Sequence, residues 1–146
     1  MDINSDTGVD AVGREIALLL GPLVRDLQGG FRACAEELGL RLGDAQAVWL
    51  LSATQQPPST KELAHRLGID PANASALVTR LQKRGLVDRR PSPSDARKRV
   101  VSLTAEGRAA RERLGRCMAR RGPTFGRLTP DELVTFRDLL LRLRGG

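Results

Sequence analysis

Apolar side chains at Val12, Ile16, Leu19, Leu20, Val24 and Leu27 recur at near-helical spacing and predict a first helix over residues 10–28, interrupted by Gly29 and Gly30. Phe31 to Leu38 predicts a short second helix ending at Gly39. Asp44 is placed to cap a third, which buries Val48, Trp49, Leu50 and Leu51 before Pro57 and Pro58. Ser59 stands three residues before Glu62, the spacing at which each side chain satisfies an orphan backbone donor of the other, so a helix begins at Thr60. Leu63, Ala64 and Leu67 form its apolar face, and Gly68 is suited to the left-handed conformation that ends it. Only Ile69 and Asp70 intervene before Pro71 opens the next helix, with Asp70 as cap.

That helix runs from Pro71 to about Arg84 and ends at Gly85. It carries Ala74, Leu77, Val78 and Leu81 on one face and Asn73, Ser75, Ala76, Thr79, Arg80 and Lys83 on the other. Two short helices joined by a tight glycine-containing turn match the helix-turn-helix plan. A helix with bulky residues near its start would be kept out of a major groove. Asn, Ser and Thr can approach base edges, and Arg and Lys can reach phosphates.

Leu86 to Arg90, the turn-rich segment Pro91 to Asp95, and Arg97 to Leu103 read as a β-hairpin, with Val101 and Leu103 inward at period two and the two prolines confined to the tip. Its tip holds Arg97, Lys98 and Arg99, placed to reach along a duplex and put a guanidinium into the minor groove. Thr104 caps a long Arg-rich helix over residues 105–121, stopped by Gly122 and Pro123. Thr129-Pro130-Asp131-Glu132 then combines an N-cap, a first-turn proline and a second capping box. The final helix shows Leu133, Phe136, Leu140 and Leu143 at helical spacing. Such a stripe is expected to serve a dimer interface, the alternative being packing within the monomer.

The 146 residues include 24 basic and 17 acidic side chains, a net charge of +7, and that charge is unevenly placed. Residues 1–44 sum to −4, residues 60–104 to +6 and residues 105–121 to +4. A basic middle in a less basic frame points to a polyanion partner, against the plainer reading of a solvated charged face. The longest nearly uncharged apolar run, Ile16 to Val24, is far short of the roughly twenty residues that span a bilayer, so no membrane partner is expected. The first fifteen residues have neither a basic nor an apolar leader region, and the expected compartment is the cytoplasm. Cys34 and Cys117 lie 83 positions apart without metal-ligand spacing, so neither a disulfide framework nor a zinc site is expected. With a single histidine, His65, read as a surface or packing residue, no catalytic constellation is visible and no enzyme, metal or cofactor is expected. Trp49 is read as core.

The segment from Asp95 to Gly107 resembles a known signature. The MarR family of bacterial winged-helix regulators shows D-x-R at the wing tip, then an apolar strand and L-T-x-x-G; Asp95, Arg97, Leu103, Thr104 and Gly107 fill those places. The stretches Lys61 to Gly68 and Leu81 to Val87 are also similar to the family pattern, and the likeness covers about residues 10–144. The resemblance implies a mainly α fold with a small β-hairpin wing: N-terminal helices over 1–44, a winged helix-turn-helix lobe over 45–104, and a linking and a terminal helix over 105–146. It implies a homodimer built from the first and last helices, with Ile16, Leu20, Leu133, Phe136, Leu140 and Leu143 as contact residues. Such a dimer would bind a pseudo-palindromic double-stranded operator with half-sites about 10 bp apart. By the same resemblance Arg97 is the minor-groove arginine, oriented by Asp95, with Lys98 beside it. Asn73, Ser75, Thr79, Arg80 and Lys83 lie on the recognition face, and Thr60 and Lys61 contact phosphate.

The function expected is a repressor released by a small-molecule effector, phenolic or otherwise aromatic. Two alternatives stay open: a winged-helix module for protein contact that binds no operator, or a regulator sensing oxidation through Cys34, which is otherwise a small buried hydrophobe.

Overall fold

The computed structural model describes residues 6–52, 56–121 and 125–145. Its elements are α1 (Asp6–Glu37), α2 (Leu42–Ser52), α3 (Thr60–Leu67), α4 (Pro71–Lys83), β1 (Val87–Pro91), β2 (Arg99–Leu103), α5 (Ala105–Arg120) and α6 (Pro130–Leu143). The fold is mainly helical with one two-stranded antiparallel hairpin, a winged helix-turn-helix. The chain divides into two compact units, residues 31–118 and residues 1–30 with 119–146.

The two predicted N-terminal helices are one. α1 continues through Gly29 and Gly30 to Glu37, and Pro22 lies inside it. A helical glycine costs only about 1 kcal/mol relative to alanine, which tertiary context readily overrides. The proline is tolerated partly because Gly21, with no Cβ, removes the clash that Pro makes with a preceding side chain. Asp44 is likewise not a cap. α2 begins one turn earlier, its first bond running from the Ala45 N–H to the Arg41 carbonyl, and Asp44 lies inside the first turn. The predicted stop of α5 at Gly122 and Pro123 lies outside the described residues.

Within residues 31–118 the core is aliphatic: Ala45, Val48 and Leu51 of α2, Leu63 of α3, Leu77, Val78 and Leu81 of α4, and Leu114 of α5. Trp49, expected in the core, is 43% exposed. Its ring meets Phe31 edge-on at 6.0 Å, so the indole flanks the core instead of filling it. Cys34 and Cys117, expected to be unlinked, form a disulfide between α1 and α5 with Cα atoms 5.8 Å apart; they are 0% and 2% exposed. Sequence spacing could not reveal a pairing that only helix packing creates. Glu37 Oε2 lies 3.4 Å from the Cys117 sulfur.

Residues 1–30 and 119–146 contain the amino-terminal part of α1 and all of α6. Val12, Ile16, Leu18, Leu19 and Val24 are exposed on α1, as are Val134, Leu139, Leu140, Leu141 and Leu143 on α6. Leu20, Leu133 and Phe136 are half-buried. Thr129 caps α6 with its capping box to Glu132 complete, and Phe125 and Phe136 meet at 6.3 Å.

Candidate nucleic-acid interface

The two helices of the turn are fixed by local hydrogen bonds that their own sequence supplies. Ser59 Oγ accepts from the Glu62 N–H at 3.2 Å, and Glu62 Oε2 accepts from the Ser59 N–H at 2.9 Å, fixing the start of α3. Gly68, at φ +65°, ends α3: its N–H reaches the His65 carbonyl while the Ile69 N–H reaches that of Ala64, the paired bonds of a Schellman motif. Gly85 ends α4 in the same way, through the Gln82 and Leu81 carbonyls. Between these stops Asp70 caps α4, accepting the Asn73 N–H at 2.9 Å and also the Asn73 side-chain amide. Chiefly through that backbone bond, the Asp70 carboxyl is held below its ordinary pKa.

α4 buries Ala74, Leu77, Val78 and Leu81, as its pattern predicts. Its other face is a shallow groove lined by Ala72, Ser75, Ala76, Thr79, Arg80 and Lys83. Ser75, Thr79 and Lys83 are exposed. Asn73 is exposed as well, but its amide already serves the cap. Arg80 is held sideways. Its Nη2 donates to Asp44 Oδ1 at 2.6 Å and its Nε points to Asp44 Oδ2 at 3.4 Å. Asp44 is 1% exposed, and its bonds raise the Arg80 pKa above the ordinary guanidinium value, against partial desolvation. Arg84 adds a second tie, its Nη1 donating to the Gly39 carbonyl at 2.8 Å. Lys61 is exposed and Thr60 half-buried at the start of α3.

The wing pairs Val87 with Leu103 through Pro91 with Arg99. Val101 is buried as expected, Leu103 is only half-buried, and Val100 is buried as well. β2 has its outer edge closed: the Val101 N–H donates to the carbonyl of buried Pro58, at the foot of α3, at 2.8 Å. At the tip Arg97 and Lys98 are exposed. Asp95 orders this tip through the backbone, its Oδ1 accepting the Arg97 N–H at 3.0 Å and its carbonyl accepting the Lys98 N–H at 3.0 Å. Asp95 thus acts on Arg97 through a backbone turn that sets where the arginine begins, with its carboxylate on the Arg97 N–H.

The base of the wing explains the residues at its end. Thr104 Oγ1 donates to the Gly85 carbonyl at 2.6 Å and accepts the Gly107 N–H at 3.0 Å, while the Thr104 N–H reaches the Leu86 carbonyl at 3.1 Å. One side chain therefore joins the end of α4, the end of β2 and the start of α5. A Cβ on Gly107 would lie 2.0 Å from the Leu86 carbonyl oxygen, so only glycine permits this approach.

The comparisons agree with this geometry. The model of the MarR family matches residues 46–98. The HTH-type transcriptional repressor NicR of Pseudomonas putida is 31% identical over 105 residues, covering 70% of this chain and 66% of the repressor. CouR from Rhodococcus jostii RHA1, solved with p-coumaroyl-CoA, superposes with a TM-score of 0.70 at 27% identity over 88% of this chain and 90% of its own. A MarR-family transcriptional regulator from Silicibacter pomeroyi gives the same TM-score and identity over 86% and 84%. The chain belongs to the MarR family of transcriptional regulators. Among the described residues no helix is long and apolar enough to cross a membrane.

Proposed function

We propose that this chain is a homodimeric, sequence-specific repressor that binds a pseudo-palindromic operator in double-stranded DNA and releases it when a small aromatic effector binds. The observation that carries this reading is the outer face of α4, where Ser75, Thr79 and Lys83 stand exposed in a groove with no large apolar side chain. A protein-docking helix would present apolar anchors there. Arg97 and Lys98 at the wing tip supply the groove and phosphate contacts, with Thr60 and Lys61 at the start of α3, and Asp95 sets the wing turn. Residues 45–104 act as the reading lobe. The helices on either side act as the dimer element through Ile16, Leu20, Leu133, Phe136, Leu140 and Leu143, whose apolar surface needs a partner. The bound p-coumaroyl-CoA of CouR supports an aromatic effector. The DNA partner assigns the protein's work to the cytoplasm.

Selection from a random duplex pool, followed by mobility shifts and sedimentation, tests this. A two-fold symmetric site bound by a dimer is expected; a monomer, or equal affinity for every duplex, refutes it.

The disulfide supports a second mode of control. Oxidation of Cys34 and Cys117 would pass two electrons and two protons to a hydroperoxide, giving an alcohol and water, and would tie α1 to α5. Mobility shifts of the reduced and oxidised protein, with Cys34→Ser as control, test it. Equal operator affinity in both states removes this mode.

A further inference from the structure

The pairing of Arg80 with Asp44 joins a residue of the exposed reading face to a fully buried carboxylate on a different helix. A buried carboxylate without a partner is costly, so Asp44 must keep its cation, which Arg80 supplies. The contact is made along one edge of the guanidinium, through Nε and Nη2. A guanidinium has five donors in a rigid plane, so the edge bound to Asp44 leaves the Nη1 and second Nη2 hydrogens at the far end of the fork. The Arg80 side chain is 36% exposed and lines the groove with Ser75, Ala76 and Thr79, small residues that leave room beside it. Arginine loses much side-chain entropy when ordered, and here that cost is met by the fold before any ligand arrives.

We propose that Asp44 is a positioning residue for operator reading: it locks Arg80 so that the free end of the guanidinium meets the O6 and N7 acceptors of one guanine in each half-site. This rests on the DNA-binding reading above. Two N–H groups at the far end of the plane match two acceptors on one base edge, a pairing that other bases do not offer in the major groove. A mobile arginine would serve phosphate as readily as a base. A guanidinium anchored from behind has one direction left, and selectivity is the consequence.

The test measures operator and non-specific affinities separately. An operator selected with the wild-type dimer is compared with a copy in which one G·C pair per half-site is replaced, scanning each position in turn. For the wild type, one G·C position is expected to matter by roughly ten-fold or more. In Asp44→Asn, discrimination at that position is expected to collapse towards unity while affinity for a non-specific duplex rises, because a negative charge behind the reading face is lost. Proportional loss of both affinities would mean a structural role only and would overturn the proposal; so would retained discrimination. Should Asp44→Asn fail to fold, Arg80→Lys keeps a cation beside Asp44 but has no fork, and is expected to lose the same base preference; discrimination equal to wild type overturns the assignment. A wild type that prefers no sequence at all defeats the DNA-binding reading itself, and the proposal with it.

Discussion

Two glycines of one helix should respond in opposite directions to the same substitution. Gly107 and Gly115 both lie in α5, where alanine is favoured over glycine by up to about 1 kcal/mol from backbone entropy alone. Propensity thus predicts that either replacement stabilises. Packing divides them. At Gly115 the nearest atom to a new Cβ is Trp49 Cζ3 at 3.8 Å, an ordinary van der Waals contact, so Gly115→Ala should gain up to about 1 kcal/mol. At Gly107 the new Cβ would lie 2.0 Å from the Leu86 carbonyl oxygen and 3.0 Å from its carbon. Those are backbone atoms held by the Thr104 N–H, so relief requires α5 to move away from the base of the wing. Overpacking of this kind costs about 1–3 kcal/mol, more than the propensity gain, so Gly107→Ala should be net destabilising. Urea unfolding followed by circular dichroism reads both values, and a midpoint for Gly107→Ala at or above that of wild type would refute the close-approach argument. Operator affinity should fall with Gly107→Ala and stay level with Gly115→Ala.

Arg97→Ala should weaken operator binding by about 1–3 kcal/mol and lower the salt slope by about one, read by mobility-shift titrations at two salt concentrations. Acid should loosen the helix starts. The Asp70 and Glu132 carboxyls, held below their ordinary values of 3.8 and 4.5 mainly by the N–H groups they cap, bind protons more tightly unfolded than folded. Their stabilising effect is therefore complete above those ordinary values and is lost as pH falls through the lower folded ones. Urea midpoints from about pH 6 to about pH 3 should decline less steeply in Asp70→Asn, which keeps a capping oxygen without the charge. Reducing the disulfide frees a loop closed over a separation of 83 residues, worth up to about 4–5 kcal/mol in the chain-entropy account. Chemical denaturation with and without reductant measures it, and identical midpoints would contradict a stabilising bond.

How legible each feature was depends on how far apart in the chain its parts lie. Ser59 with Glu62, Asp70 with Pro71, and Thr129 with Glu132 act within one helical turn, so spacing alone announced the helix starts that the structure shows. The apolar face of α4 was equally plain, because its period is local. Asp44 and Arg80 are 36 residues apart, and nothing near Asp44 distinguishes a cap from a buried counterion. The disulfide was hidden for the same reason. Gly29 and Gly30 predict a break that α1 does not make, because residue preference is a weak term that the rest of a long helix outweighs. Val100 is not legible from the period, because alternation assumes one wet face and Val100 is buried together with its neighbour Val101.

Cys34 and Cys117 sit just inside the two ends of the 31–118 unit, so the sulfur bridge makes a covalent ring that encloses α2, both helices of the turn and the whole hairpin. Cutting the backbone once anywhere within that ring would leave a single linked molecule. Excised from its flanking segments, the ring keeps its ends tied, which makes it a portable cassette. Fused to a different dimer module, the ring would test whether the sequence preference proposed above resides in it alone.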